Sequence, residues 1–253
     1  VCTLANNHIL DFGHRGLADT LAALTAAGID AAGAGLDQER ARAPVRLTTE
    51  AGTTVLITSL GVASSGIPAA WAATAQRPGV EFLPDLAKDS VADVAARLQA
   101  AKRPGEISVA SVHIGSNWGW TVSRDQVRFA HALIEAGVDV IHGHSSHHPR
   151  PIEVYRGKLI LYGCGDLIDD YEGITGYEQY RDDLRLLYIA TLDPDRGTVV
   201  RLEMTPMQTR KLRLQRASSS DGEWLRSALD RASRDFGTRF SRRSDGRIIL
   251  SIQ

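Results

Sequence analysis

The stretch from Ile107 to Ile141 constrains the fold most, because it reads as a strand, a capped helix and a second strand in succession. Ile107-Ser-Val-Ala-Ser-Val-His113 is apolar at alternate positions, as a half-buried strand requires. Ser123-Arg-Asp-Gln126 has the spacing of a capping box, and Val127, Ala130, Leu133 and Ile134 follow at helical spacing until Gly137 ends the helix. Gly137-Val-Asp-Val-Ile141 is a short β-branched run bounded by glycines. Strand, helix and strand in that order imply parallel pairing through a right-handed crossover. The chain is therefore expected to be α/β, with His113 and the histidines beyond Ile141 at one edge of one sheet.

Those histidines are His142, His144, His147 and His148, four imidazoles in seven residues. Neutral imidazole is the commonest protein metal ligand, and loops at strand ends are where α/β proteins keep their chemistry. A histidine tract can also be a solvated loop, but this one takes four of the eight histidines in the chain, which favours metal binding or catalysis. Val1 to Ala5 reads as the end of another buried strand, and Asn6-Asn7-His8 follows with Asp11 three residues on. Amide oxygen, imidazole and carboxylate on one loop suit manganese, iron or zinc. The same residues also suit a turn in which Asn and Asp bond their own backbone. A lone histidine at a strand end is more often structural than ligating, but at His113 the company of the other histidine loops favours a ligand.

The remaining segments frame these loops. Helices are expected over 16–28, 36–42, 90–101 and 221–234, and hairpins over 45–60, 151–162 and 186–204, the second turning at Arg156-Gly157. The tail from Arg247 to Ile252 reads as an edge strand. Ser64 to Asp85, with its scattered Gly and Pro, reads as a surface excursion, either a substrate-contacting loop or decoration. Asp166 leaves the second hairpin, and the acidic and aromatic run Asp169-Asp170-Tyr171-Glu172 with Tyr177, Tyr180, Asp182 and Asp183 after it fits either a second shell around ligating histidines or an exposed loop.

With 253 residues, 43% of them apolar, the chain has the bulk for one large domain spanning 1–253, in which 207–253 is a C-terminal helical extension. A net charge of −1 offers no general attraction to nucleic acid or anionic membrane, and the basic clusters 210–216 and 239–247 read as solvated faces. Cys2 and Cys164 are too few for a disulfide framework or a zinc–thiolate site. No apolar run is long enough to span a membrane. Because Val1 is not a start residue and opens inside a strand, an N-terminal portion is expected to be missing, with any export signal or anchor it carried. The residues present lean slightly to a cytoplasmic location.

Three pieces in order carry a resemblance: Leu4-Ala-Asn-Asn-His8 with Asp11 and Gly13, Val112-His-Ile-Gly115 with Asn117-Trp118-Gly119, and Gly143-His-Ser-Ser-His147 followed by Pro151-Ile-Glu-Val-Tyr155. Over residues 1 to about 205 the chain resembles the CapA family of capsule-synthesis, poly-γ-glutamate biosynthesis, proteins, whose fold is that of the calcineurin-like metallophosphatases. The resemblance implies a four-layer αββα sandwich of two mixed sheets and a pair of divalent metal ions. It implies Asn7 as a metal ligand with His113, His144 and His147, and His8 as the transition-state donor that protonates the leaving oxygen or stabilises its charge; Asp11, three residues on, is placed to orient the His8 ring and fix its tautomer. The Gly-His-x-x-His spacing is one residue longer than the commoner Gly-His-x-His, so His142 or His148 enters as a substitute ligand, with Asn117 and Asp166 as further candidates. The family's earlier ligands, including a bridging carboxylate, precede the asparagine and have no counterpart in this sequence. The implied chemistry is metal-assisted hydrolysis of a phosphoester or related bond, on a small-molecule or peptide and polymer substrate. Metal-dependent peptide ligation or epimerisation, and a non-catalytic scaffold in an envelope-polymer assembly, are the alternatives.

Overall fold

The computed structural model describes residues 1–169 and 174–251. Asp170, Tyr171 and Glu172 of the acidic run, and Ile252 of the tail, lie outside the described residues. The chain is α/β and divides into two units: residues 1–116 with 123–143, and 117–122 with 144–253.

In the first unit, β1 (Cys2–Thr3) pairs in parallel with β2 (Ala31–Ala32), and α1 (Gly13–Ala26) connects them. Leu17 of α1 packs with Leu4, Leu10, Ala34, Ile67 and Val80 in one apolar cluster. β3 (Ala34–Gly35) leads into α2 (Gln38–Arg42), whose first turn is capped by the Asp37 carboxylate accepting from Arg40 N at 2.8 Å. β4 (Val45–Thr48) forms an antiparallel hairpin with β5 (Thr54–Val62), as the sequence predicts. β5 runs parallel to β8 (Ile107–His113), from Val55 opposite Ile107 to Gly61 opposite His113. β9 (Val140–His144) completes the order β9-β8-β5-β4. The helices α3 (Lys88–Ala101) and α4 (Arg124–Glu135) supply Val91, Val94, Leu98, Phe129 and Leu133 as their buried residues. The capping box at Ser123 and Gln126 is formed in full.

Two expectations need correction here. The segment 64–85 is a surface excursion only in part: Pro68, Ala69, Ala70, Ala75, Gln76 and Arg77 are exposed, but β6 (Gly79–Val80) pairs with β3, β7 (Phe82–Leu83) pairs with β5, and Ser65, Ile67, Val80, Glu81 and Leu83 are buried. Its prolines and glycines bend the chain between two short pairings with distant strands, which no local pattern announces. The second strand of the central unit also extends to His144, so His142 and His144 belong to β9 rather than to a loop beyond it.

In the second unit, β10 (Ile152–Tyr155) and β11 (Lys158–Leu161) form the expected hairpin, with Arg156 and Gly157 both in the left-handed region that a two-residue turn requires. β12 (Leu184–Leu192) and β13 (Val199–Arg210) form a longer hairpin, and β14 (Arg213–Arg216) folds back on β13. α5 (Ser219–Ala232) buries Leu225, Ala228 and Leu229. β15 (Arg239–Arg242) and β16 (Ile248–Ser251) complete the order β12-β13-β16-β15. The tail strand is therefore internal, between β13 and β15, and the edge belongs to β15, which sequence patterning misses.

Candidate functional site

In the first unit the residues after β1 turn tightly. His8 N donates to Asn6 Oδ1 at 2.9 Å and Asp11 N to His8 O at 3.1 Å, so the asparagine does bond its own backbone. That turn also presents side chains. His8 Nδ1 donates to Asp11 Oδ2 at 2.8 Å, with the imidazole side chain 74% exposed. Asn7 Oδ1 accepts from His113 Nε2 at 3.1 Å, although the two residues are 106 apart in sequence. An amide oxygen only accepts, so this bond places the proton of His113 on Nε2. His113 is 6% exposed at the end of β8. Close backbone approach makes the encounter possible: a Cβ on Gly61, the residue paired with His113, would lie 2.2 Å from Ile67 Cδ1 and 3.3 Å from Ala5 O. A Cβ on Gly66 would lie 3.8 Å from the Asn7 amide nitrogen, and Ser64 Oγ accepts from Gly115 N at 3.3 Å. Ser64 is absent from the sequence-derived candidates.

His142 lies apart from this turn, sharing a 2.9 Å hydrogen bond between its Nδ1 and Ser111 Oγ on β8. Burial pushes its pKa down, so the ring is neutral near pH 7.

In the second unit, His144 ends β9 half-buried, and the chain then bends through Ser145 at φ 132°. His147 N donates to the backbone carbonyl of Asn117 at 3.1 Å, while its ring donates from Nδ1 to Asp166 Oδ2 at 2.9 Å. Behind Asp166 stands Arg185, fully buried on β12, with Nη1 3.7 Å from Asp166 Oδ2 and Nη2 donating to Asp169 Oδ2 at 2.8 Å. Arg185 also donates to the carbonyl of Asp182. Asp166 and Asp169 thus support His147 through a buried cation that sequence reading misses; its one signal is a charged residue inside the apolar run Leu184-Arg-Leu-Leu187.

His148 is fully buried and ringed by aromatics: Trp118 at 6.0 Å, Trp120 at 4.5 Å and Tyr180 at 4.6 Å between ring centroids. Its Nδ1 donates to Pro149 O at 2.9 Å. Desolvation lowers its pKa from 6.5 to about 4, with the Pro149 hydrogen bond opposing the shift. Buried Arg150, also missed from sequence, fixes the tryptophan loop by donating to Gly119 O at 3.0 Å and Thr121 O at 2.7 Å.

Whether these donors suit a divalent metal can be judged from geometry. Two ligands about 2.1 Å from one ion and at right angles lie about 3 Å apart, and Asn7 Oδ1 and His113 Nε2 are separated by 3.1 Å. Two donors do not make a site, however. Among the described residues no group of three or more His, Cys, Asp or Glu side chains is placed to hold a metal ion. The residues present therefore do not by themselves fit the implied metal pair.

No helix among the described residues is long and apolar enough to cross a membrane. The chain is 54% identical over 246 residues to a protein of Mycobacterium tuberculosis named a probable polyglutamine synthesis accessory protein. It is 31% identical over 197 residues to the PGA biosynthesis protein CapA of Bacillus subtilis, and 27% identical over 211 residues to the capsule biosynthesis protein CapA of Bacillus anthracis. These matches cover 97%, 74% and 82% of this chain, but 65%, 46% and 47% of the respective relatives, so the chain spans between about half and two thirds of their length. The model of the bacterial capsule synthesis protein family PGA_cap matches residues 1–171, which contain both histidine groups. The chain belongs to that family.

Proposed function

We propose that the chain acts in the synthesis or processing of a glutamate-derived capsule polymer, by hydrolysing a phosphoester or related bond at the turn bearing Asn7, His8 and Asp11. The observation that carries the proposal is the solvent-facing His8–Asp11 pair, hydrogen-bonded at 2.8 Å, one residue from the Asn7–His113 contact. With Nδ1 donating to Asp11, the proton-exchanging atom of His8 is Nε2, which supplies a proton to the leaving oxygen as general acid. Asp11 holds that tautomer. His113 Nε2 holds the Asn7 carbonyl oxygen, which leaves the half-buried Asn7 amide N–H groups as the donors that would orient the scissile group. The names of the relatives supply the polymer, and the metallophosphatase sandwich is the architecture this reading assumes. Any divalent metal would need donors beyond Asn7 and His113, and no step here passes through one.

A second reading is a non-catalytic accessory role. It is favoured by the lack of a three-donor metal group among the described residues and by the word accessory in the mycobacterial relative's name.

The test is turnover of a chromogenic phosphodiester and of poly-γ-glutamate by the full chain, supplied with manganese or zinc. His8→Asn should lower kcat by about 10²–10⁴-fold, with Asp11→Asn lowering it less. Wild-type turnover in both variants would remove His8 from the chemistry. Inertness of the unsubstituted chain on both substrates would leave the accessory reading standing.

A further inference from the structure

The two basic clusters of the sequence have different fates in the fold. In the 239–247 cluster, Arg243 and Arg247 are neutralised by Glu203 and Asp245, with the Arg247–Glu203 contact at 3.1 Å and Arg247–Asp245 at 2.6 Å. In the 210–216 cluster, Arg210, Lys211, Arg213 and Arg216 are all exposed, and among the described residues none has an ion-pair partner. Arg210 and Arg213 stand directly opposite each other across the β13–β14 hairpin. Like charges so placed destabilise a hairpin. The turn between them, Lys211-Leu212, has φ of 52° and 53° at both positions, where glycine or asparagine is usual. The hairpin therefore keeps its cations at a cost to its own stability.

Cavities flank the hairpin on both strands. One of about 530 Å³ is lined by Arg181, Gln208, Thr209 and Arg210 among others, and a second of about 500 Å³ by Arg216, Ser218, Arg242 and Gly246 among others. Their carboxylates are already engaged: Asp183 with Arg181 and Gln208, Asp182 with Ile174 N, Glu178 with Gly176 N, and Asp245 with Arg247. Arg242 donates only to neutral acceptors, the Ser219 carbonyl and hydroxyl and the Gly246 carbonyl. The Thr209 hydroxyl, lining the first cavity, is shut off from solvent without a hydrogen-bond partner. Gln208 and Gln215 share the Arg210–Arg213 face, with Gln208 Nε2 donating to Asp183 Oδ2 at 2.9 Å and Gln215 Nε2 to Gln208 Oε1 at 3.5 Å. The first cavity sets Glu178, Asp182 and Asp183 against Arg181 and Arg210, so the surplus of positive charge lies on the hairpin itself and in the second cavity, where Arg216 and Arg242 face Asp245 alone.

We propose that the β13–β14 hairpin and the second cavity beside it bind a polycarboxylate chain, polyglutamate, with Arg210 and Arg213 on one face, Lys211 at the turn, and Arg216 with Arg242 at the other face pairing with its carboxylates. This rests on the reading of the chain as acting on a glutamate-derived polymer and selects the acid over its neutral amide, polyglutamine, which has no charge for these cations to meet.

The test is fluorescence anisotropy of labelled poly-γ-glutamate with the full chain, against labelled polyglutamine, a DNA oligonucleotide and anionic phosphatidylglycerol vesicles. Polyglutamate should bind more tightly than the other three, and added salt should weaken it. Replacing Arg210, Lys211, Arg213 and Arg216 together by Gln should weaken binding roughly tenfold or more, and the single charge reversal Arg213→Glu should weaken it measurably. Arg243→Gln, which removes one charge already paired with Glu203 and Asp245, should leave binding within about twofold. Overturning results are undiminished binding by the fourfold variant and Arg213→Glu, an equal loss with Arg243→Gln, equal affinity for polyglutamine, tighter binding of DNA or vesicles, or no binding of polyglutamate by the unsubstituted chain. Binding is read without turnover, so failure of His8 as the acid and failure of this strip are separate outcomes.

Discussion

His148 should make the second unit sensitive to acid within a defined window. The ring is fully buried among Trp118, Trp120 and Tyr180, and desolvation lowers its pKa from 6.5 to about 4. Between those two values the unfolded chain binds a proton that the folded chain refuses. Stability from this group is thus complete above about pH 6.5 and is lost as the pH falls toward about 4. The whole loss is about 3 kcal/mol at 1.36 kcal/mol per pKa unit, and about 2 kcal/mol of it falls between about pH 7 and pH 5. Against a total of about 5–15 kcal/mol for a domain, that is a large fraction. Urea unfolding followed by tryptophan emission reports on it, since Trp118, Trp120 and Trp224 all lie in this unit. His148→Phe keeps a ring in the pocket and removes the titration. The unsubstituted chain should lose about 2 kcal/mol more than His148→Phe over that pH interval, all other titrating groups cancelling in the comparison. Parallel pH profiles, within about 0.5 kcal/mol, would refute the reasoning, because a titrating buried imidazole must separate them.

Two further substitutions test the packing. Arg185→Met leaves Asp166 and Asp169 without their buried cation and should destabilise by about 3–5 kcal/mol, read as a lower urea midpoint; an unchanged midpoint would show the carboxylates to be solvated. Gly79→Ala puts a Cβ 2.3 Å from Trp71 O and 2.7 Å from Ala73 N, backbone atoms that cannot swing aside, and should cost about 1–3 kcal/mol with a lower Tm. An unaltered Tm would mean that the β3–β6 pairing tolerates displacement.

Elements with a local signal were legible in the sequence. β8 occupies the residues its alternation predicts, the Ser123–Gln126 capping box forms, and Arg156-Gly157 makes the expected turn, each because the deciding residues are neighbours. The misses share the opposite cause. β6 and β7 are two residues each and exist only because β3 and β5 accept them, so glycine and proline around them read as loop. β9 extends through His142 to His144, and periodicity within the run could not show where it ends. The candidate residues were nameable because histidine and asparagine are conspicuous, but their partners were not. Ser111, Arg150 and Arg185 look ordinary in sequence and differ only in what surrounds them. Hence the four-histidine run is not one chemical unit: His142 bonds to Ser111, His147 to Asp166, and His148 is enclosed by aromatic rings.

The two His–Asp pairs show how surroundings divide one motif into two uses. Both place a ring Nδ1 within 2.9 Å of a carboxylate oxygen. At His8 the carboxylate side chain is 45% exposed, so water stabilises the Asp11 charge and no protein cation is needed. At His147 the carboxylate is 22% exposed and sits against Arg185, which is buried completely. A buried charge network seldom adds net stability over an apolar one, but breaking it is costly, so its effect is to fix geometry. His147 is accordingly held in one orientation by Asp166, Arg185 and Asp169, with its backbone N–H tied to Asn117. His8 has only Asp11 and an exposed ring, which leaves it able to reach a bound molecule and exchange a proton with it. The exposed pair suits proton transfer and the buried pair suits holding a loop in register. For that reason the functional proposal is placed on His8, although the longer histidine run is the more conspicuous feature of the sequence.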